Sequence, residues 1–167
     1  MKTAIVYYSM SGNTKFVADK IAEKIGADVI RLEPVEAYPD KGIRKFFWGG
    51  KSAVMEEKPE LMEYEFDAGQ YDMIIFGTPV WASNFAPPLR TFIEENRSGL
   101  EGKKMATFVC FSGGGADKAI DRLKKCVGVE KLEGELVLVD PLMKVVAENE
   151  VRIGEFCEKV IEDIIKG

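Results

Sequence analysis

Thr3-Ala4-Ile5-Val6-Tyr7-Tyr8-Ser9-Met10-Ser11-Gly12-Asn13-Thr14 is the stretch on which the reading of this chain turns. Thr3 to Tyr8 is a continuous apolar run rather than an alternating one. That is the pattern of a parallel strand covered on both faces. Ser9 to Thr14 then crowds three hydroxyls, an amide side chain and a glycine into six positions. Directly after it, Phe16, Val17, Ile21 and Ile25 form a helical stripe. A polar loop between a buried strand and a helix N-terminus is an anion site, because the first helical N–H groups point outward along a favourable dipole. Gly12 lets the backbone curl close to the anion. Capping the helix needs one of Ser9, Ser11, Asn13 and Thr14, not all of them. The spacing fits neither GxGxxG nor GxxxxGK[ST]. Gly50-Lys51-Ser52 imitates the end of the second pattern, but its first glycine would fall on Lys45.

Outward from that stretch, four more apolar runs read as strands: Asp28 to Leu32, Met73 to Gly77, Met105 to Phe111 and Glu135 to Val139. Between and after them lie helical stripes. Leu89, Phe92 and Ile93 follow Pro87-Pro88, which suits a helix start. Ala119, Ile120 and Leu123 form another stripe. Phe156, Val160, Ile161, Ile164 and Ile165 form the last, with Asn149 as its expected N-cap. Strand and helix in alternation predict a doubly wound α/β sheet with helices on both faces, in one domain over residues 1–167. The longest interval, Pro34 to Gln70, is broken by glycines and prolines. A short helix is expected there, at Ile43 to Trp48 or Ser52 to Glu57. Phe46, Phe47 and Trp48 are candidates for a cover over the site or a subunit contact, and equally for a cluster under the loop.

Composition removes whole chemistries. The chain has no histidine, so a Ser-His-Asp triad, a Cys-His pair and any His-ligated metal are excluded. Cys110, Cys126 and Cys157 lack CxxC spacing, so reduced buried thiols are expected and no metal site. A net charge of −5 argues against a nucleic-acid partner. No apolar run is long enough to insert into a membrane, and the first residues do not resemble a secretory signal. A cytoplasmic protein is expected, and the Asn96-Arg97-Ser98 sequon is read as chance.

Ligands of open α/β sheets bind outside the carboxyl ends of the strands, and two more loops begin at such ends. Thr78-Pro79-Val80-Trp81-Ala82-Ser83-Asn84-Phe85-Ala86 places a tryptophan among small and polar residues. Trp81 could stack on a flat ring or pack beneath the next helix. Ser112-Gly113-Gly114-Gly115 follows a buried strand, and its glycines suit either a close ligand or a plain turn.

The Ser9 to Thr14 loop resembles the phosphate loop of the flavodoxins, Thr/Ser-x-Thr/Ser-Gly-x-Thr. The likeness extends over essentially the whole chain: five strands, a tryptophan loop after the third and a glycine loop after the fourth. It implies the flavodoxin-like strand order 2-1-3-4-5 with FMN at the switch point. The uninterrupted fifth strand resembles the short-chain type. The implied cofactor-binding residues are Ser9, Met10, Ser11, Gly12, Asn13, Thr14, Thr78, Pro79, Val80, Trp81, Ala82, Asn84, Ser112, Gly113, Gly114 and Gly115, with Trp81 stacked on the isoalloxazine. No catalytic side chain is implied. Two features depart from the family pattern. The third loop has no aromatic after Phe111, and Val80 to Phe85 lacks the glycine that eases a peptide into positive φ beside the flavin.

Electron transfer between redox partner proteins is the leading expectation. A second reading is an NAD(P)H-dependent FMN oxidoreductase that reduces a quinone or similar small-molecule acceptor, as a monomer or homodimer. A third is a non-redox phosphate-binding module or receiver-like scaffold. A receiver needs acidic residues at the first and third strand ends, which here read Tyr8-Ser9 and Gly77-Thr78.

Overall fold

The computed structural model of the chain describes residues 2–39, 50–144 and 147–165, with side chains through 162. Strands β1 (Thr3–Tyr7), β2 (Asp28–Arg31), β3 (Met73–Trp81), β5 (Lys104–Phe111) and β6 (Gly134–Val139) run parallel. Their order is β2-β1-β3-β5-β6, with the two-residue strand β4 (Asn84–Phe85) folded back antiparallel on the end of β3. Counting the parallel strands alone, this is the expected 2-1-3-4-5 order.

The continuous apolar runs of the central strands have a simple cause: β1, β3 and β5 are buried on both faces, whereas the edge strands β2 and β6 leave one face partly exposed. Successive side chains point to opposite faces. Ile5, Tyr7, Ile75, Phe108 and Leu138 meet Val17, Ile21, Ile153, Phe156 and Val160 of helices α1 (Asn13–Ile25) and α5 (Ala147–Ile165). Ala4, Val6, Ile74, Phe76 and Val109 meet Leu89, Phe92, Ile120 and Leu123 of helices α2 (Pro87–Glu95) and α4 (Ala116–Val127). A short helix α3 (Arg97–Leu100) follows α2. Phe92 is fully buried and meets the rings of Tyr64, Phe66 and Phe76. Burial of such a side chain contributes about 1.5–3 kcal/mol.

The long interval between β2 and β3 is tied down by backbone bonds. Val35 N donates to Glu60 O (2.9 Å) and Met62 N to Glu33 O (2.8 Å), around an antiparallel bridge of Pro34 with Leu61. Residues 50–54 are helical and the helix ends at Val54, so the helix expected at Ser52 to Glu57 stops three residues early. The alternative at Ile43 to Trp48, with Phe46 and Phe47, lies outside the described residues. Residues 50–72 set two lysines against seven carboxylates, an excess equal to the whole net charge of −5.

Three expectations change. β3 does not stop at Gly77, because Thr78 and Pro79 stay in register with Val109 and Cys110 of β5. Asn149 is not an N-cap: α5 already begins at Ala147, and the Asn149 amide donates back to Lys144 O (2.9 Å). Ile161 is partly exposed, the buried stripe of α5 being Ile153, Phe156, Cys157 and Val160.

Candidate functional site

A cleft of about 290 Å³ opens at the carboxyl ends of the central strands. Met10, Ser11, Asn13 and Thr14 line it from the β1–α1 loop, and Pro79, Val80, Trp81 and Ala82 from the end of β3. Cys110, Phe111, Ser112, Gly113 and Gly114 line it from the end of β5, and Gly50 from the long insertion. Three segments widely separated in sequence meet there because β1, β3 and β5 are neighbours in the sheet.

The β1–α1 loop leaves part of its polar complement unpaired. Gly12 is the N-cap of α1 at φ 93°, and no side chain caps the helix. Its carbonyl accepts from Phe16 N (2.9 Å). The N–H groups ahead of that bond have no intrahelical partner, and Asn13 and Thr14 of that turn line the cleft. Ser9 is 6% exposed and its hydroxyl makes no hydrogen bond. A buried hydroxyl without a partner is costly; Ser9 stands three residues ahead of the N-cap Gly12, and neither residue is among those that line the cleft. Asn13 serves another purpose: its Oδ1 accepts from Leu142 N (2.9 Å), anchoring the β6–α5 connection.

The β3–β4 segment is the opposite case. It is a hairpin whose only turn residues are Ala82 and Ser83, at φ 49° and 58°. The buried polar side chains of this segment, Thr78 and Asn84, are both satisfied. Thr78 Oγ1 donates to Pro79 O (2.8 Å) and accepts from Ala86 N (2.9 Å). Buried Asn84 donates to Ala53 O (2.8 Å) and accepts from Phe85 N (2.9 Å). Thr78 and Asn84 therefore brace the cleft wall without lining it. Gly115 also stands behind the wall. It caps α4 at φ 87°, and a Cβ there would lie 2.2 Å from Ser83 Oγ and 2.9 Å from Ser83 Cα. Gly115 is required by the hairpin, whereas Gly113 and Gly114 are the exposed glycines that border the cleft.

Trp81 is half-buried and meets Tyr8 and Tyr38 edge-on, at 5.5 and 5.1 Å between ring centroids. This aromatic group brings the insertion against the end of β1. Burial raises the Tyr8 phenol and pushes Tyr38 up to about 12. Burial likewise pushes the Cys110 thiol up to about 12, against a bond from Thr14. Cys110 is thus a protonated thiol at neutral pH and no nucleophile. The cleft lining carries no carboxylate, amine or guanidinium among the described residues. Such a wall binds and shapes a ligand, and any chemistry belongs to the ligand.

Cys110 and Phe111 were readable in advance, since they end an apolar run at a strand terminus. Gly50 was not, because nothing local ties it to Ala82, 3.8 Å from where a Cβ of Gly50 would stand. Asp140 was also hidden. At φ 41° it accepts from Ser112 Oγ (2.5 Å), joining the third loop to the β6–α5 connection.

Fold and cleft together define a doubly wound α/β protein with a mononucleotide-sized site at its switch point. A family model described as flavodoxin matches residues 2–150, and the chain belongs to that family. Its backbone is similar to that of a flavoprotein from Lactobacillus acidophilus solved in complex with FMN, with 24% identity and TM-score 0.69 over 84% of this chain and 94% of that one. It is also similar to oxidised Flavodoxin 1 from Bacillus cereus, with 20% identity and TM-score 0.56 over 97% and 98%. Two-electron reduced Megasphaera elsdenii flavodoxin gives 19% identity and TM-score 0.57 over 95% and 99%.

The residues present fit FMN, the cofactor that membership of this family brings. The uncapped α1 terminus and the unpartnered Ser9 hydroxyl suit a phosphate. Trp81, Val80, Phe111 and the bare Gly113-Gly114 backbone suit a flat ring with a polar edge.

Proposed function

We propose that the chain binds FMN in this cleft and passes electrons between redox partner proteins. The observation that carries the reading is the uncapped N-terminus of α1 together with the buried, unpartnered Ser9 hydroxyl in the same loop, whose Met10, Ser11, Asn13 and Thr14 line the switch-point cleft. Bound FMN supplies the reversible electron acceptor that the side chains lack. Ser9, Ser11, Thr14 and the first N–H groups of α1 hold the phosphate. Trp81 and Val80 exclude water from one side of the ring, and Ser112 to Gly114 border its polar edge. The acidic excess of residues 50–72 supports docking onto a basic partner surface, where complementary charge speeds encounter. The test is a titration of apoprotein with FMN, followed by stopped-flow electron exchange with a flavodoxin reductase at increasing salt. Tight FMN binding and an exchange rate that falls with salt are expected. No FMN binding overturns the reading.

One observation favours a second reading. Ser112, Gly113 and Gly114 are exposed and carry no ring, which leaves room for a small acceptor beside the flavin. Steady-state NAD(P)H oxidation with a quinone and no partner protein would establish an oxidoreductase instead.

A further inference from the structure

The Ala82-Ser83 turn is held in a conformation its own residues disfavour. Both central residues have positive φ, the pattern of a type I′ hairpin turn, for which Asn-Gly is preferred. Neither Ala nor Ser enters that region without strain, and strain persists only where surrounding structure imposes it. Asn84 holds the far side of the turn through Ala53 O. Gly115 leaves room for Ser83 Cα and Oγ. The remaining tie comes from α4, where Arg122 Nη1 donates to Ser83 O at 3.0 Å. A guanidinium donor makes the stronger kind of hydrogen bond, and this one reaches the turn from outside the cleft.

We propose that Arg122 is a positioning residue of the cleft: its bond to Ser83 O holds the turn that sets Trp81 and Ala82 against the ligand. The inference rests on the FMN reading. It assigns Arg122 a role although Arg122 is not among the residues that line the cleft. Ring binding then depends on Arg122, while phosphate binding does not.

The test titrates apoprotein with FMN and with riboflavin in the wild type, Arg122→Met, Arg122→Lys, Ser83→Gly and the Ser83→Gly/Arg122→Met pair. Arg122→Met is expected to weaken both flavins by the same factor, about fivefold, and to shift the visible bands of bound FMN. Arg122→Lys should recover part of the loss. In the Ser83→Gly background the same replacement should cost less than about twofold, because glycine holds positive φ unaided. Hydrogen exchange in apoprotein supplies a ligand-free reading: the Asn84 amide should exchange faster in Arg122→Met. The inference is overturned if wild type binds FMN and folded Arg122→Met matches it in affinity, spectrum and exchange. It is equally overturned if the loss is undiminished in the Ser83→Gly background. A wild type that binds neither flavin overturns the FMN reading itself, and this inference with it.

Discussion

The β1–α1 loop and the β3–β4 hairpin face each other across one cleft and are built on opposite principles. In the first, some polar groups are left unpaired: Ser9 Oγ has no partner and no side chain caps α1. In the second, polar groups are used up, with Thr78 and Asn84 each bonded twice to neighbouring backbone. The first loop therefore holds energy in reserve for a ligand, while the second supplies shape. Unmet donors make affinity and satisfied ones make rigidity. Substitutions on the two sides should separate ligand affinity from apoprotein stability.

The largest expected effect is on the shape side. Gly115→Ala drives a Cβ into Ser83 Oγ and Cα from a φ of 87°, and should destabilise the apoprotein by about 3 kcal/mol. Urea unfolding measures this, and Ser83→Gly should recover part of it by removing the nearest obstacle. A cost below about 1 kcal/mol would mean that the hairpin is not braced by α4.

Asn84→Ala should follow, at about 2–3 kcal/mol, because it leaves Ala53 O and Phe85 N without their side-chain partner. FMN affinity should fall along with stability, since the cleft wall loosens as a whole.

Ser9→Ala should behave in the reverse sense and sharpen the contrast. Removing a buried hydroxyl that has no partner should leave apoprotein stability unchanged or raise it by about 1 kcal/mol. The same change should weaken FMN about tenfold and riboflavin little. Parallel titrations with the two flavins decide it, and equal losses would remove the phosphate from this loop.

The smallest effect is a pH dependence near the aromatic group that joins the two regions. Burial raises the Tyr8 phenol above its ordinary 10.0 and Tyr38 to about 12, the Tyr38 shift also reflecting the Glu57 charge. A raised phenol pKa means that the folded state keeps a proton which the unfolded chain releases. The stabilisation is thus complete below pH 10 and lost as pH rises towards about 12. Tyr38→Phe should flatten the fall in stability across that window, read by thermal melting at stepped pH.

The strands and the polar β1–α1 loop were legible because their signals are local. A run such as Thr3 to Tyr8 reports two-sided burial through its own composition, and the crowding of Ser9 to Thr14 reports more donors than a cap needs. The glycine loop was legible only in part. Gly113 and Gly114 border the cleft, whereas Gly115 answers to Ser83, a contact across 32 positions of chain. The second loop misled most. Its lack of glycine argued against positive φ, yet Ala82 and Ser83 both adopt it, because Arg122, Gly115 and Asn84 impose from outside what local preference opposes.

By itself, then, the sequence determined the alternation of strand and helix, the two-faced burial of the central strands, the absence of imidazole chemistry and the crowding of polar groups in the first loop. Each follows from residue type and spacing within a dozen positions. Tertiary structure alone decided that β3 runs on to Trp81, that Gly50 comes to the cleft and Tyr38 to Trp81, and that Arg122 on a distant helix grips the turn. Those outcomes depend on which segments become neighbours. Chain neighbours carry no mark of that until the sheet order places β1, β3 and β5 side by side.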